Sequence, residues 1–189
     1  MTAPVTQFRA GPQTVLADAI AGLVPVLTDG HVTLRAPRVT DFAGYAELMT
    51  SARARHVGGP MDAEAAWYDF ANYCAGWMLH GHGLWVIDAG GSETLGFVLI
   101  GFEWDDPEPE LGVLMRAAGE GRGIARAAMV LARDYAFDQL GWDSVPSYVD
   151  AGNARSITLM TALAAVRDSH AEAALGDGTR VYRHRKGGA

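Results

Sequence analysis

At 189 residues with a formal net charge of −7, the chain is long enough for one domain with a substantial core and too acidic to coat nucleic acid. Apolar residues make up 49% and charged residues 20%, an ordinary globular balance, and no apolar run approaches the roughly 20 residues that span a bilayer. The single cysteine, Cys74, forms no internal disulfide, and the N-terminus lacks an apolar run behind a basic start, so a reducing, cytoplasmic setting is expected.

Residues 1–30 are rich in Ala, Gly and Pro with weak periodicity; they read as an extension, with a short helix around Thr14–Leu23, on a domain spanning 31–189. "HVTLRAP" (31–37) alternates apolar and polar residues and stops at Pro37, which predicts a strand. In "VTDFAGYAELM", Thr40 is placed to cap a helix with Phe42, Tyr45, Leu48 and Met49 on one face. After a basic loop, "SARARHVGGP", a second helix starts near Asp62, carries the stripe Trp67, Phe70, Tyr73, Cys74, Trp77 and Met78, and ends at "HGHG" (80–83).

The period then changes. "LWVIDA" (84–89), "TLGFVLIGFEW" (94–104) and "ELGVLM" (110–115) read as strands joined by "GGSE" and "DDPEP", links short enough only for an antiparallel meander. Next comes "GEGRGIARAA" (119–128), opening a helix with Ile124, Ala128, Leu131 and Tyr135 on one face and an end near Leu140. "SVPSYVD" (144–150) predicts a strand, "NARSITLMTALAA" (153–165) a helix capped by Asn153, and "TRVYRHR" (179–185) a final strand, with one more possible strand near Val166–Ala171. The order predicts an α/β (α+β) fold: a mixed, mostly antiparallel sheet flanked by helices.

Gly119, Gly121 and Gly123 lie after a strand and before a long helix, where backbone N–H groups lack partners and the helix dipole favours an anion. Glycine lets the backbone approach a phosphate, and Arg122 and Arg126 can add charge-assisted bonds. A Walker loop is excluded because Ile124 and Ala125 stand where it needs Lys and Ser/Thr, and the glycine spacing does not fit a dinucleotide fingerprint. A plain turn is the alternative for any isolated glycine cluster.

The loop, read with "LRAPRVTDFAGYAEL", "GLWVID", "LGFVLIG", "PELGVLM", "GRGIARAAMVLARDYAFDQLGWDSV" and "YVDAGNARSITLMTAL" in that order, resembles the GCN5-related N-acetyltransferase (GNAT) family. The likeness is to the branch that includes ribosomal-protein alanine N-acetyltransferases, and it covers roughly residues 31–185. The resemblance implies a fold with splayed central strands and an acetyl-CoA-dependent transferase acting on an amine. It implies that the backbone of Val113, Leu114 and Met115 pairs with the pantetheine arm. Gly121, Arg122, Gly123, Ile124, Ala125 and Arg126 are then expected around the pyrophosphate, and Asn153 beside the cofactor, in addition to or instead of its capping role.

Amine acetylation needs a base, an oxyanion donor and an acid for the departing thiol. Glu110 and then Glu103 are the expected carboxylates beside the cleft, each with the alternative of a solvated strand-end residue. Family members commonly place a tyrosine seven residues after the asparagine; Met160 stands there, which leaves Ser156 as acid or thiol-orienting residue, or as a serine bonded to its own helix. Glu120 also departs from the family's Gln or Arg and sets a negative charge beside the phosphates. His80 and His82 read as a helix end, so no metal is expected; the aromatic stripe reads as core, and "RARH" (53–56) as a solvated loop or a receptor for acidic groups.

The expected function is direct acetyl transfer to a small-molecule amine or a protein N-terminus by a monomer or homodimer, without nucleic-acid or membrane partners. Two other readings stay open, a non-catalytic acyl-CoA-binding protein and a cofactor-free interaction domain.

Overall fold

The computed structural model describes residues 3–90 and 93–187. A five-stranded sheet holds β1 (Leu27–Thr28), β2 (Thr33–Arg35), β3 (Leu84–Asp88), β4 (Gly96–Gly101) and β5 (Glu110–Met115) in that order, all antiparallel. A second sheet has the order β6 (Ser144–Val149), β8 (Arg180–Arg185), β7 (Val166–Arg167), also antiparallel. The helices are α1 (Gln13–Ala21), α2 (Phe42–Met49), α3 (Ala63–Leu79), α4 (Ile124–Asp138), α5 (Ala154–Ala162) and α6 (Ser169–Leu175). No helix among the described residues is long and apolar enough to cross a membrane.

β3 and β4 read as unbroken apolar runs because helices cover both faces of the sheet. Strand alternation sends Leu84, Val86, Phe97 and Leu99 into one layer with Phe42, Tyr45, Met49 and Phe70 of α2 and α3. Trp85, Ile87, Val98 and Ile100 point the other way, onto Ile124, Ala128, Met129, Ala132 and Ala136 of α4. The aromatic stripe of α3 is divided between the layers: Phe70 packs 5.3 Å from Tyr45, whereas Trp77 lies edge-on 4.5 Å from Trp85.

The expected splay falls between β5 and β6, which belong to different sheets and share no backbone ladder. Pro146 in β6 has no N–H to give, which suits a strand at the edge of its sheet. Side chains fasten the two strands instead. Ser147 Oγ donates to Leu111 O (2.6 Å) and meets His184 Nε2 at 3.1 Å, and both side chains are buried. The serine proton is engaged with Leu111, so His184 donates from Nε2 and its Nδ1 is left without a partner among the described residues. Burial holds that imidazole neutral, its pKa lowered to about 4.

Several local expectations are corrected. Asp41, not Thr40, organises the start of α2: its carboxylate accepts from Arg38 N (2.8 Å) and takes the Arg35 guanidinium in a two-bond fork (2.8 Å each), while Arg35 Nε reaches Asp88 at 2.6 Å. A carboxylate wins here because it satisfies an orphan N–H and an arginine together. The strand expected over 94–104 spans only Gly96–Gly101, since Asp106 accepts from Glu103 N (2.6 Å) and turns the chain away. β1, inside the segment read as an extension, pairs with β2, and α6 occupies part of the link before the last strand. Gly91 and Ser92 of the expected "GGSE" turn lie outside the described residues.

Candidate active site

The loop before α4 holds Gly121 and Gly123 in the left-handed region (φ +71° and +75°), with nothing within 4 Å of where a Cβ would stand. Any other residue is strained there, and a side chain would enter open space. Gly119 answers a different demand: a Cβ on it would come within 2.7 Å of Leu95 O, so it is packed against the sheet. Gly123 caps α4 with no side-chain oxygen, so the first N–H groups of a 15-residue helix face outward unmet by any side chain among the described residues.

A cleft of about 1000 Å³ opens in front of that helix end. Val113, Leu114 and Met115 form one wall; Gly121, Gly123, Ile124, Ala125 and Arg126 form the floor; Asn153, the cap of α5, and Ser156 within it close the far side. Arg122 does not line the cleft; its guanidinium turns back to Ala118 O at 3.3 Å. Arg53 and His56, read in the sequence as part of a solvated loop or a receptor for acidic groups, stand on the cleft wall with Arg155, which the sequence did not single out. Glu120 bridges two of them, accepting from Arg53 and from Arg155 (2.7 Å). An uncapped helix end, open glycines and arginines at the rim fit a long anionic ligand such as acetyl-CoA, with Glu120 as the one opposing charge.

A second cavity, of about 810 Å³, shares His56, Val113, Leu114, Asn153 and Ser156 with the cleft. Glu110 and Glu103 both line it, with Asp69, Asp106 and Tyr73. Burial, aided by repulsion from Asp106 and Glu103, pushes the Glu110 carboxyl up to about 8, although Tyr148 N donates to it (3.3 Å) and pulls the other way. Burial and repulsion from Asp106 and Asp69 also raise Glu103, whose carboxylate accepts from Tyr73 Oη at 3.3 Å.

Asn153 caps α5, its Oδ1 accepting from Ser156 N (3.2 Å), which leaves its amide nitrogen for the cleft. Ser156 Oγ makes no hydrogen bond among the described residues, so it is not bonded back to its own helix. Met160 is buried and contributes apolar wall to the second cavity. His82, by contrast, is buried away from both cavities with Nδ1 2.8 Å from Ile100 O, and no group of metal-ligating side chains is found among the described residues.

The acetyltransferase (GNAT) domain model matches residues 31–166. Among solved structures, an acetyltransferase from Agrobacterium tumefaciens is 34% identical with a TM-score of 0.79, covering 86% of this chain and 95% of that one. RimJ of Mycobacterium smegmatis, solved with CoA-disulfide, is 18% identical with a TM-score of 0.61, covering 86% of each chain. The microcin C7 self-immunity acetyltransferase MccE, solved with acetyl-CoA and AMP, is 12% identical with a TM-score of 0.63, covering 84% of this chain and 94% of that one. A comparison with curated proteins finds no significant match. A split sheet, an uncapped glycine-led helix facing the split and a domain model that spans most of the chain agree with one another, and the chain belongs to the GNAT acetyltransferase family.

Proposed function

We propose that this chain transfers the acetyl group of acetyl-CoA directly to a primary amine, with Glu110 as general base. The observation that carries this reading is the placement of the Glu110 carboxyl in a cavity that shares a wall with the cofactor cleft, where burial pushes its pKa up to about 8. Acetyl-CoA, when bound, supplies a thioester whose carbonyl carbon is attacked by the free amine, the N–C bond forming as the C–S bond breaks.

The remaining work falls to the chain. Ionised Glu110 takes the proton that the ammonium group must lose. β5 is the edge of its sheet, so one side of the Val113–Met115 backbone has no ladder partner and offers N–H and C=O groups to the pantetheine arm and the carbonyl oxygen. Ser156 Oγ, free of other bonds among the described residues, is the proposed proton source or hydrogen-bond donor for the leaving sulfur. Gly121, Gly123, Ile124 and Ala125 present backbone N–H groups to the pyrophosphate, Arg126 adds charge, and the Asn153 amide contacts the cofactor.

Thiol release from acetyl-CoA on addition of primary amines tests the reading. Turnover that falls roughly 10²- to 10⁴-fold in Glu110→Gln supports it. Acetyl-CoA binding without thiol release across a broad amine set would instead favour an acyl-CoA-binding protein.

A further inference from the structure

Negative charge is distributed unevenly over this molecule. Elsewhere the partly buried carboxylates are paired with arginine: Asp41 and Asp88 with Arg35, Glu108 and Asp168 with Arg183, Glu172 with Arg167. Asp69, Glu103, Asp106 and Glu110 all line the second cavity, and none has a cationic partner among the described residues. What they receive instead are neutral donors: Tyr45 Oη to Asp69 (2.5 Å), Tyr73 Oη to Glu103, Glu103 N to Asp106 and Tyr148 N to Glu110. Asp69, Asp106 and Glu110 are partly buried and Glu103 is exposed; carboxylates gathered on one cavity repel one another, and the fold supplies no counter-charge.

Arg55, the cation that lines this cavity, stands at the end shared with the cofactor cleft, beside His56, whose Nδ1 lies 3.2 Å from Asp150. At the loop between β4 and β5 the rim carries Trp104, which is 98% exposed. An indole held fully in water beside two aspartates packs against nothing in the protein and offers its face to a cation. The size of the cavity, about 810 Å³, is that of a small-molecule site.

We infer that the acceptor is a small amine with at least two positive charges, a diamine or polyamine. The inference rests on the second cavity being the acceptor site. One nitrogen reaches Glu110, loses its proton and is acetylated. The other remains an ammonium group near Asp106 and Trp104, where it neutralises charge that the fold leaves uncompensated. A substrate whose far end is neutral leaves those carboxylates unpaired, and one with a carboxylate there adds repulsion, so the cavity selects by charge.

The test compares 1,4-diaminobutane with n-butylamine, equal in chain length and different by one charge. Initial rates of thiol release and calorimetry on the CoA-loaded full-length protein are both read. A KM at least tenfold lower for the diamine, rising at least fivefold in Asp106→Asn and in the fully exposed Trp104→Ala, supports the inference. Equal KM values for the two amines overturn it while leaving acetyl transfer to amines standing. Tighter binding of the diamine with no acetylation of either amine supports the charge selection and overturns the transfer. A diamine that binds no more tightly than butylamine, with or without turnover, overturns the inference.

Discussion

The two cavities share a wall and differ in almost every way that matters to a ligand. The proposed cofactor cleft is built around an uncapped helix end, two left-handed glycines and an edge strand, with arginines at its rim. The proposed acceptor cavity takes its charge from carboxylates brought in by α3, the β4–β5 loop and β5. Backbone donors are set by the fold and tolerate side-chain change, whereas a carboxylate cavity depends on each residue. The first design suits a cofactor that never changes; the second suits an acceptor that distinguishes one protein from its relatives.

Mutations that affect one cavity and spare the other test that division. The largest expected effect is from Glu110→Gln, which lowers kcat roughly 10²- to 10⁴-fold while the Kd for CoA stays within about twofold. Gly123→Val does the reverse: a β-branched residue at φ +75° is strained and intrudes on the phosphates, so CoA affinity falls by about tenfold or more, with the circular dichroism of the fold retained. Glu120→Gln removes the carboxylate between Arg53 and Arg155 and frees both for the cofactor. CoA binding then tightens by roughly fivefold, about 1 kcal/mol, with a steeper salt dependence.

Acidity gives a finer comparison. Because Glu110 holds its proton up to about pH 8, kcat/KM rises through that pH, and this rising limb is lost in Glu110→Gln. The sign for stability is opposite. A carboxyl raised from 4.5 to about 8 on folding costs the native state stability as pH rises between those values, so Glu110→Gln melts higher than the parent at pH 9. For a domain of this size the gain is roughly 2–4 °C per kcal/mol, and calorimetry at two pH values reads it.

The division also explains what was legible in the sequence. A continuous apolar run such as Leu84–Asp88 and a strongly periodic helix such as Ile124–Asp138 declare themselves through residues close in the chain. So does the loop at 119–126, because glycines, a strand end and a helix start are contiguous there. The acidic cavity has no such local signature. Asp69 and Glu110 stand far apart in sequence, and only the packing of α3 on the sheet and the pairing of Gly101 with Glu110 put them on one wall. Arg155 was illegible for the same reason, and Arg53 was legible only as part of a basic loop, since their common partner Glu120 lies on a third segment. The two-residue β1 and the seven-residue α6 were too short for periodicity to register.

The buried Ser147–His184 pair has one more consequence. It is the stitch at the seam between the sheets, and its imidazole takes up a proton only near pH 4. Between pH 6.5 and 10 nothing in that stitch titrates, whereas the other link across the seam, from Tyr148 N to Glu110, ends on a group that changes charge near pH 8. In acid the order is reversed: as pH falls from 6.5 toward 4 the unfolded chain takes up the histidine's proton first, and the native state loses this part of its stability. The molecule is thus tuned by one titrating group on its alkaline side and unfastened by another on its acid side.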